Sequence, residues 1–371
     1  MINQNLEAAC TSSLRTLMSE FQRAANSNHY NDRKRIDLGH DLMCHARSYD
    51  VAYTISGLEG NYLNAVKRDF NNPVEYTDAK IEGQSWADSC PNPLEKYEEW
   101  NHGRRASNAG VAYQVKNGLP VNPFLNYGVR GRGVVGRFGP NHAVDIAPCR
   151  IMKNKQGQHT LHVLGIIRGD NHTAAICGGF IEHESAPYHN TPDIILNTQT
   201  KEMFEEMISG SIPLDVSDQS NRKQVTQEKW ELVQKNDPEF LLRLKNHLSH
   251  AFECYAGPVL SSGRNTNTSW METNLAWVML DETDWKNVCG ENPQFNYQFS
   301  AGDDAADVKW HEITPALIKD ADCHAAFFCY IMASYLINTK NCPKDVLDQA
   351  KRLNSYLKSL VSSNPIVCYK L

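Results

Sequence analysis

The stretch KEMFEEMISG, Lys201 to Gly210, carries carboxylates at i, i+3 and i+4: Glu202, Glu205 and Glu206. A helix here gathers them on one face and turns Met203, Phe204, Met207 and Ile208 to the other. Most acidic helix faces are only wet surface, so the spacing does not by itself establish chemistry. What precedes it adds the missing part: Gly178-Gly179-Phe180 follows a strand-like run. Glycine lets backbone approach phosphates closely, and carboxylates hold divalent ions against phosphate oxygens. Such ions neutralise charge on a leaving group and activate water, so the combination suits a pyrophosphate substrate. Hard carboxylate donors without clustered Cys or His favour Mg²⁺ or Mn²⁺ over Zn²⁺.

These residues have to be positioned by a larger architecture. Residues 1 to about 70 read as helical, with Leu6, Leu14, Leu17 and Phe21 in one stripe and Leu38, Leu42, Tyr49, Ala52 and Ile55 in a second. From about 71 to 147, frequent Pro, Gly and Asn with isolated aromatics read as a loop-rich subdomain. Strand character begins at about 146 and continues through HTLHVLGIIR (159 to 168). A short helix at about 199 to 209 carries the glutamates. A helical pair split at Asp237-Pro238 fills 220 to 253, and strands return in SWMETNLAWVML (269 to 280) and VKWHEI (308 to 313). Helices at about 321 to 338 and 343 to 362 close the chain. This order predicts a mixed α/β sandwich flanked by helices. GRGVVG is not a dinucleotide fingerprint, because it neither follows a clear strand nor opens a helix.

Charge and cysteine usage narrow the partners. A net charge of −6 over 371 residues argues against a general nucleic-acid binder. The 11 cysteines include no C-x-x-C pair, which points to reduced thiols and an intracellular, cytoplasmic location. The N-terminus lacks the pattern of a secretory signal, and no apolar run is long enough to span a bilayer. Asp322, Cys323 and His324 open the run HAAFFCYIMASYLI and are assigned to core packing rather than to chemistry.

With these segments in hand, the sequence resembles the Nudix hydrolases, whose box reads G-x5-E-x7-R-E-U-x-E-E-x-G-U with U apolar. Lys201 to Glu206 lies on R-E-U-x-E-E, and Gly178-Gly179 on the glycine loop. Lys201 replaces the arginine, Ile208 stands at the second glycine, and Ser185 stands at the first Glu with Glu184 one residue earlier. About eight extra residues within SAPYHNTPDIILNTQT separate loop from helix. NNPVEYT (71 to 77), SWADS (85 to 89), GRGVVGRFGPNHAVD (131 to 145), GRNTNTSWMET (263 to 273) and AGDDAADVKW (301 to 310) look like the ADP-ribose pyrophosphatase branch. That branch includes animal mitochondrial ADP-ribose hydrolases and the ADP-ribose-sensing domains of melastatin-type channels. The resemblance runs from about 71 to 315.

The resemblance implies a Nudix α/β/α sandwich with an N-terminal loop-rich subdomain and extra N- and C-terminal helices. Its boundaries are a helical region at 1–70, a cleft-forming subdomain at 71–147, the Nudix domain at 148–318 with a helical insertion at about 211–253, and C-terminal helices at 319–371. It implies Mg²⁺-dependent hydrolysis of ADP-ribose to AMP and ribose 5-phosphate, with Mn²⁺ as the other ion. Two alternatives stay open: a catalytically weak ADP-ribose-binding module, and hydrolysis of another nucleoside diphosphate derivative. Glu202, Glu205 and Glu206 become the metal ligands, and Gly179 presents backbone to the diphosphate. Glu202 and Glu206 are catalytic candidates together with Asp304. The general base stays open among Glu184, Asp303 and Asp304.

Further substrate-contact candidates each have a structural counterpart. Arg132 could bind phosphate or pin a loop, whereas Arg137 reads as structural. Arg264 and Asn265 sit in a polar turn before a strand. Trp270 could stack on adenine, although packing between subdomains fits it better. Glu272, exposed at a strand start, is a metal or ribose candidate, and Asp303 and Asp304 are ribose or water candidates in a turn. His142 reads as turn-stabilising. Nothing in the sequence names a protein partner for residues 1–70.

Overall fold

Successive strand side chains point to opposite faces of a sheet, and here both faces are apolar. Ala147, Cys149, Leu161, Val163, Leu275 and Trp277 enter one core. Ile146, Leu164, Ile166, Ala276 and Val278 enter a second. Strands buried on both faces need a helical layer on each side. The computed structural model, which describes residues 30–57, 68–81, 107–181, 191–213, 222–292, 294–302 and 305–363, has that three-layer arrangement.

In chain order, α1 (Tyr30–Gly57) precedes a region of short strands, β1 (Val74–Thr77), β2 (Val115–Lys116), β3 (Leu119–Pro120) and β4 (Val129–Gly133). β1 and β4 pair in parallel. β2 and β3 form a hairpin whose Asn117-Gly118 turn has positive φ at both residues, 52° and 75°, the conformation for which Asn-Gly is best suited. The sheet strands β5 (Gly139–Lys153), β6 (His159–Arg168), β7 (Ala174–Ala175) and β8 (Cys177–Phe180) follow, then α2 (Pro192–Met207), α3 (Arg222–Asn236) and α4 (Pro238–Leu248). The remainder is β9 (Phe252–Pro258), β10 (Ser269–Met279), α5 (Glu282–Cys289), β11 (Ala305–Glu312), α6 (Pro315–Asp320), α7 (Ala325–Asn338) and α8 (Lys344–Ser362).

The main sheet runs β11-β6-β5-β10-β9, with β7 added to β6 and β8 to β5. β5 and β10 are parallel, from Gly139 opposite Ser269 to Cys149 opposite Met279. The first half of β5 also pairs with β8, placing Gly179 opposite Val144 and Gly178 opposite Asp145. One helical layer contains α2 to α5, which contribute Met203, Phe204, Val233, Phe240, Leu244 and Val288. The other unites α1 with α7 and α8: Leu42, Met43 and Ala46 share a core with Phe328, Met332, Leu353 and Leu357. Every residue of α7 from Ala325 to Ile337 is buried. Each fully buried Leu or Phe there contributes about 1.5–3 kcal/mol.

Several elements differ from the sequence-based expectation. α2 starts at Pro192, not near 199, because Thr191 accepts from the Ile194 N–H and Pro192 occupies the first turn. Most of the extra residues ahead of the glutamates are therefore added helical turns. Strand structure begins before 146: β5 starts at Gly139, and β4 runs through the VRGRG segment taken as loop. His142 consequently lies within β5, not in a turn. α5 and α6 were not anticipated, whereas the split at Asp237-Pro238 is present, Asp237 Oδ1 accepting from Phe240 N at 3.1 Å. The first helical stripe, the SWADS segment, Glu184, Ser185, Asp303 and Asp304 lie outside the described residues.

Candidate functional site

β8 and α2 meet at two glycines, each of which lets a neighbour approach closely. A Cβ on Gly179 would overlap the Glu202 carboxylate, and one on Gly178 would strike the carbonyl oxygen of Val144 and Asp145 Oδ1. The Gly178 N–H donates to Glu206 Oε2 at 3.0 Å, tying strand backbone to helix side chain. Glu205, on the same face, has Lys201 Nζ 3.8 Å from Oε1. On the far side of α2, Met203, Phe204 and Met207 are buried, so the apolar stripe fixes the rotation that aims the three acids at β8.

These acids form one wall of a cavity of about 1070 Å³. β5 and β10 add Asp145 and Thr273, α3 adds Lys223, Gln224 and Gln227, and the loop after β9 adds Ser261 and Arg264. Asp322, Cys323 and His324 also line it. Arg168, at the end of β6, is held by Asp170 through paired bonds of 2.9 and 2.8 Å. Among the described residues Arg264 has no carboxylate within ion-pair distance.

The electrostatics of the walls differ. Burial pushes the Asp145 carboxyl up to about 7, against the opposing hydrogen bond from the Thr273 hydroxyl. Burial drives His324 down to about 3, aided by Arg168 and Arg264. It stands as a neutral imidazole, with Nδ1 3.3 Å from the Ile176 N–H. Burial also raises the Cys323 thiol to about 12, which makes it a poor nucleophile.

Of the expected site residues, Gly179, Glu202, Glu205, Glu206 and Arg264 share this cavity, and the others described do not line it. Arg132 is buried within β4. Asn265 is also buried, donating to Val259 O (2.8 Å) and Tyr127 Oη (2.9 Å) while accepting from Met271 N. Its amide pins the loop and has no donor left for a ligand. Trp270 packs on Ala109, Phe124 and Leu260, with Tyr113 edge-on at 5.2 Å. Glu272 is fully buried, not exposed: it accepts from Trp270 Nε1 (2.8 Å) and Ser107 Oγ (3.0 Å), fastening residues 107–109 to β10. A carboxylate so enclosed holds this loop to the strand and is not open to metal or ribose.

The assignment of Asp322, Cys323 and His324 to core packing is also corrected. They form a single 3₁₀ turn ahead of α7, and the turn exposes one side to the cavity. No sequence signal separated them from the apolar helix they precede. Asp145 went unnoticed too, although it closes the GPNHAVD segment.

In kind, the donors fit a hard divalent cation: three carboxylates line one cavity, packed directly against two glycines. In the arrangement seen, no three acid, imidazole or thiol side chains among the described residues are drawn into a cage. Glu205 and Glu206 instead engage Lys201 and the Gly178 N–H.

Known proteins resemble the chain along much of its length. Residues 65–139 match the NUDT9-like, N-terminal domain. Nudix hydrolase 6 of Caenorhabditis elegans is 30% identical over 245 residues, covering 64% of this chain and 75% of that protein. The chain belongs to the Nudix hydrolase family. This Nudix chain is also 32% identical over 260 residues to the mitochondrial ADP-ribose pyrophosphatase of Rattus norvegicus, covering 66% of the chain and 64% of that relative. It is 30% identical over 257 residues to transient receptor potential cation channel subfamily M member-like 2 of Nematostella vectensis, across 65% of the chain but 14% of the channel. The Nudix chain thus spans less than two thirds of either of these two relatives. None of its described helices is long and apolar enough to cross a membrane, and its eight described cysteines are free thiols.

Proposed function

We propose that this protein hydrolyses the diphosphate of ADP-ribose, releasing AMP and ribose 5-phosphate. The observation that supports this most is the contact of Gly178 and Gly179 with Glu206 and Glu202 in a cavity that also holds Arg264. Glu202, Glu205 and Glu206 would hold Mg²⁺ or Mn²⁺, which when bound offsets the charge of the diphosphate oxygens. Gly179 backbone would lie against the diphosphate, and the Arg264 guanidinium would pair with its non-bridging oxygens. Water oxygen joins one phosphorus, the bridging P–O bond breaks, and the water proton passes to a base. A relative named as an ADP-ribose pyrophosphatase agrees with this substrate. Scattered cysteines agree with a reducing, intracellular setting.

A second reading, an ADP-ribose-binding module with weak turnover, is favoured by the ungathered carboxylates and the Lys201–Glu205 pair. AMP release from ADP-ribose with Mg²⁺ separates the two. The enzyme reading expects turnover by the wild type and a fall of about 100-fold or more in Glu205→Gln/Glu206→Gln, the scale of losing charge stabilisation in the transition state. Tight ADP-ribose binding by the wild type without AMP release would replace it with the second reading.

A further inference from the structure

Part of the cavity lining is braced from outside residues 65–139. α1 ends before residue 65, where the family match begins, yet two of its side chains reach cavity-lining residues. Asp50 engages the hydroxyl of Ser261, and the Ser261 hydroxyl in turn lies 3.4 Å from Cys323 O. One helical turn on, Tyr53 Oη donates to Asp322 Oδ1 at 2.7 Å. Asp322 has φ of 45°, one of three non-glycine residues with positive φ among those described. A left-handed non-glycine residue is costly and persists where its surroundings over-determine it. Here the Tyr53 hydroxyl and the α7 start do so.

Asp322 thus lines the cavity with one carboxylate oxygen already bonded. Among the described residues Tyr53 is the one hydrogen-bond partner of the Asp322 side chain, and no cation pairs with it. An ionised carboxylate accepts only, through two oxygens and about four lone pairs. Facing a substrate, it repels phosphate and takes hydroxyl donors. Arg264, which lines the same cavity, supplies donors for the oxygens of those hydroxyls.

Resting on the ADP-ribose reading, we propose that Asp322 is a specificity residue that recognises sugar hydroxyls of the substrate, and that Tyr53 is its positioning residue. A site built to bond a hydroxyl discriminates against the analogue that lacks it, since its polar groups are then left unpaired. α1 thereby becomes part of the substrate-binding architecture, although it touches no substrate.

Three substrates test this: ADP-ribose and its analogues lacking the 2-hydroxyl on either the adenosine or the terminal ribose. Wild-type protein should disfavour at least one analogue by about tenfold or more in kcat/KM, a factor that one hydrogen bond to a charged group supplies. Asp322→Asn should erase that discrimination by losing rate on ADP-ribose alone. Tyr53→Phe should raise KM for ADP-ribose about tenfold with kcat unchanged, and add nothing when combined with Asp322→Asn. Circular dichroism and melting temperatures near wild type exclude misfolding as the cause. Discrimination retained in Asp322→Asn, or an equal loss on all three substrates, overturns the proposal while leaving the ADP-ribose reading intact. A wild type that neither binds nor cleaves ADP-ribose, by calorimetry and product assay, overturns both.

Discussion

Gly179 shows how much a missing side chain can decide. Its Cβ position coincides with the Glu202 carboxylate, so Gly179→Ala must displace that acid or lift β8 from β5. Displacement of the acid is easier, since Val144 and Gly179 sit opposite each other in the β5–β8 ladder. The expected outcome is a fall in kcat/KM for ADP-ribose of about tenfold or more, since misplacing a catalytic group by about 1 Å is costly. The melting temperature should fall little. Kinetics and calorimetric melting on the same sample check this; a wild-type rate would show that Glu202 and Gly179 need not touch for turnover. The glutamates were legible because i, i+3, i+4 spacing says which face they share. Glu272 was misread because its partners, Ser107 and Ala109, lie some 160 residues away, and no local pattern records such a bond. Asp322 escaped because apolar sequence after it outweighed a turn of three residues.

At the scale of elements, the strongest signals were amphipathic or β-branched runs: α2, the α3–α4 pair, β6, β10 and α8 were all legible from periodicity. What failed was where they begin. α2 was expected near 199 because PDIIL reads equally well as extended chain, yet Thr191 and Pro192 supply the start signal. Since α2 carries the metal-binding candidates on its last two turns, its first two turns act as an anchor. Thr191→Ala removes the acceptor that bonds Ile194 N at 3.3 Å. It should cost about 1 kcal/mol of stability and leave the rate on ADP-ribose near wild type. Denaturant unfolding monitored by circular dichroism measures the first, and initial rates the second. A large loss of rate with unchanged stability would mean that the cap serves the site, not the helix. The strands β4 and β5 were misjudged for a different reason: their glycines and prolines are tolerated because neighbouring strands and loops hold them, which composition does not reveal.

On the scale of the whole molecule, buried ionisable groups on opposite sides of the sheet set a pH balance that no single element shows. Burial raises Asp50 to about 7 against its hydrogen bond from Ser261 and the nearby Arg47, and raises Asp145 to about 7 as well. A raised carboxyl keeps its proton in the folded state while the unfolded chain releases it near pH 4. Its stabilising contribution is therefore whole below pH 4 and lost as pH rises through 7. His311 and His324, lowered by burial to about 4 and about 3, act in the reverse direction. They must be neutral to fold, so stability is lost as pH falls from about 6.5 toward those values. The two pairs oppose each other between pH 4 and 6.5, so the carboxyls offset part of what the imidazoles cost there. Asp50→Asn removes one of the two carboxyls without altering shape. Its stability relative to wild type should therefore climb from pH 4 to 7, by up to about 1.4 kcal/mol per pH unit within that window. Parallel thermal melts of the two proteins across that range read the difference directly. A difference that does not change with pH would mean that Asp50 is ionised in the folded state, and that α1 grips Ser261 with a full charge instead of a neutral acid.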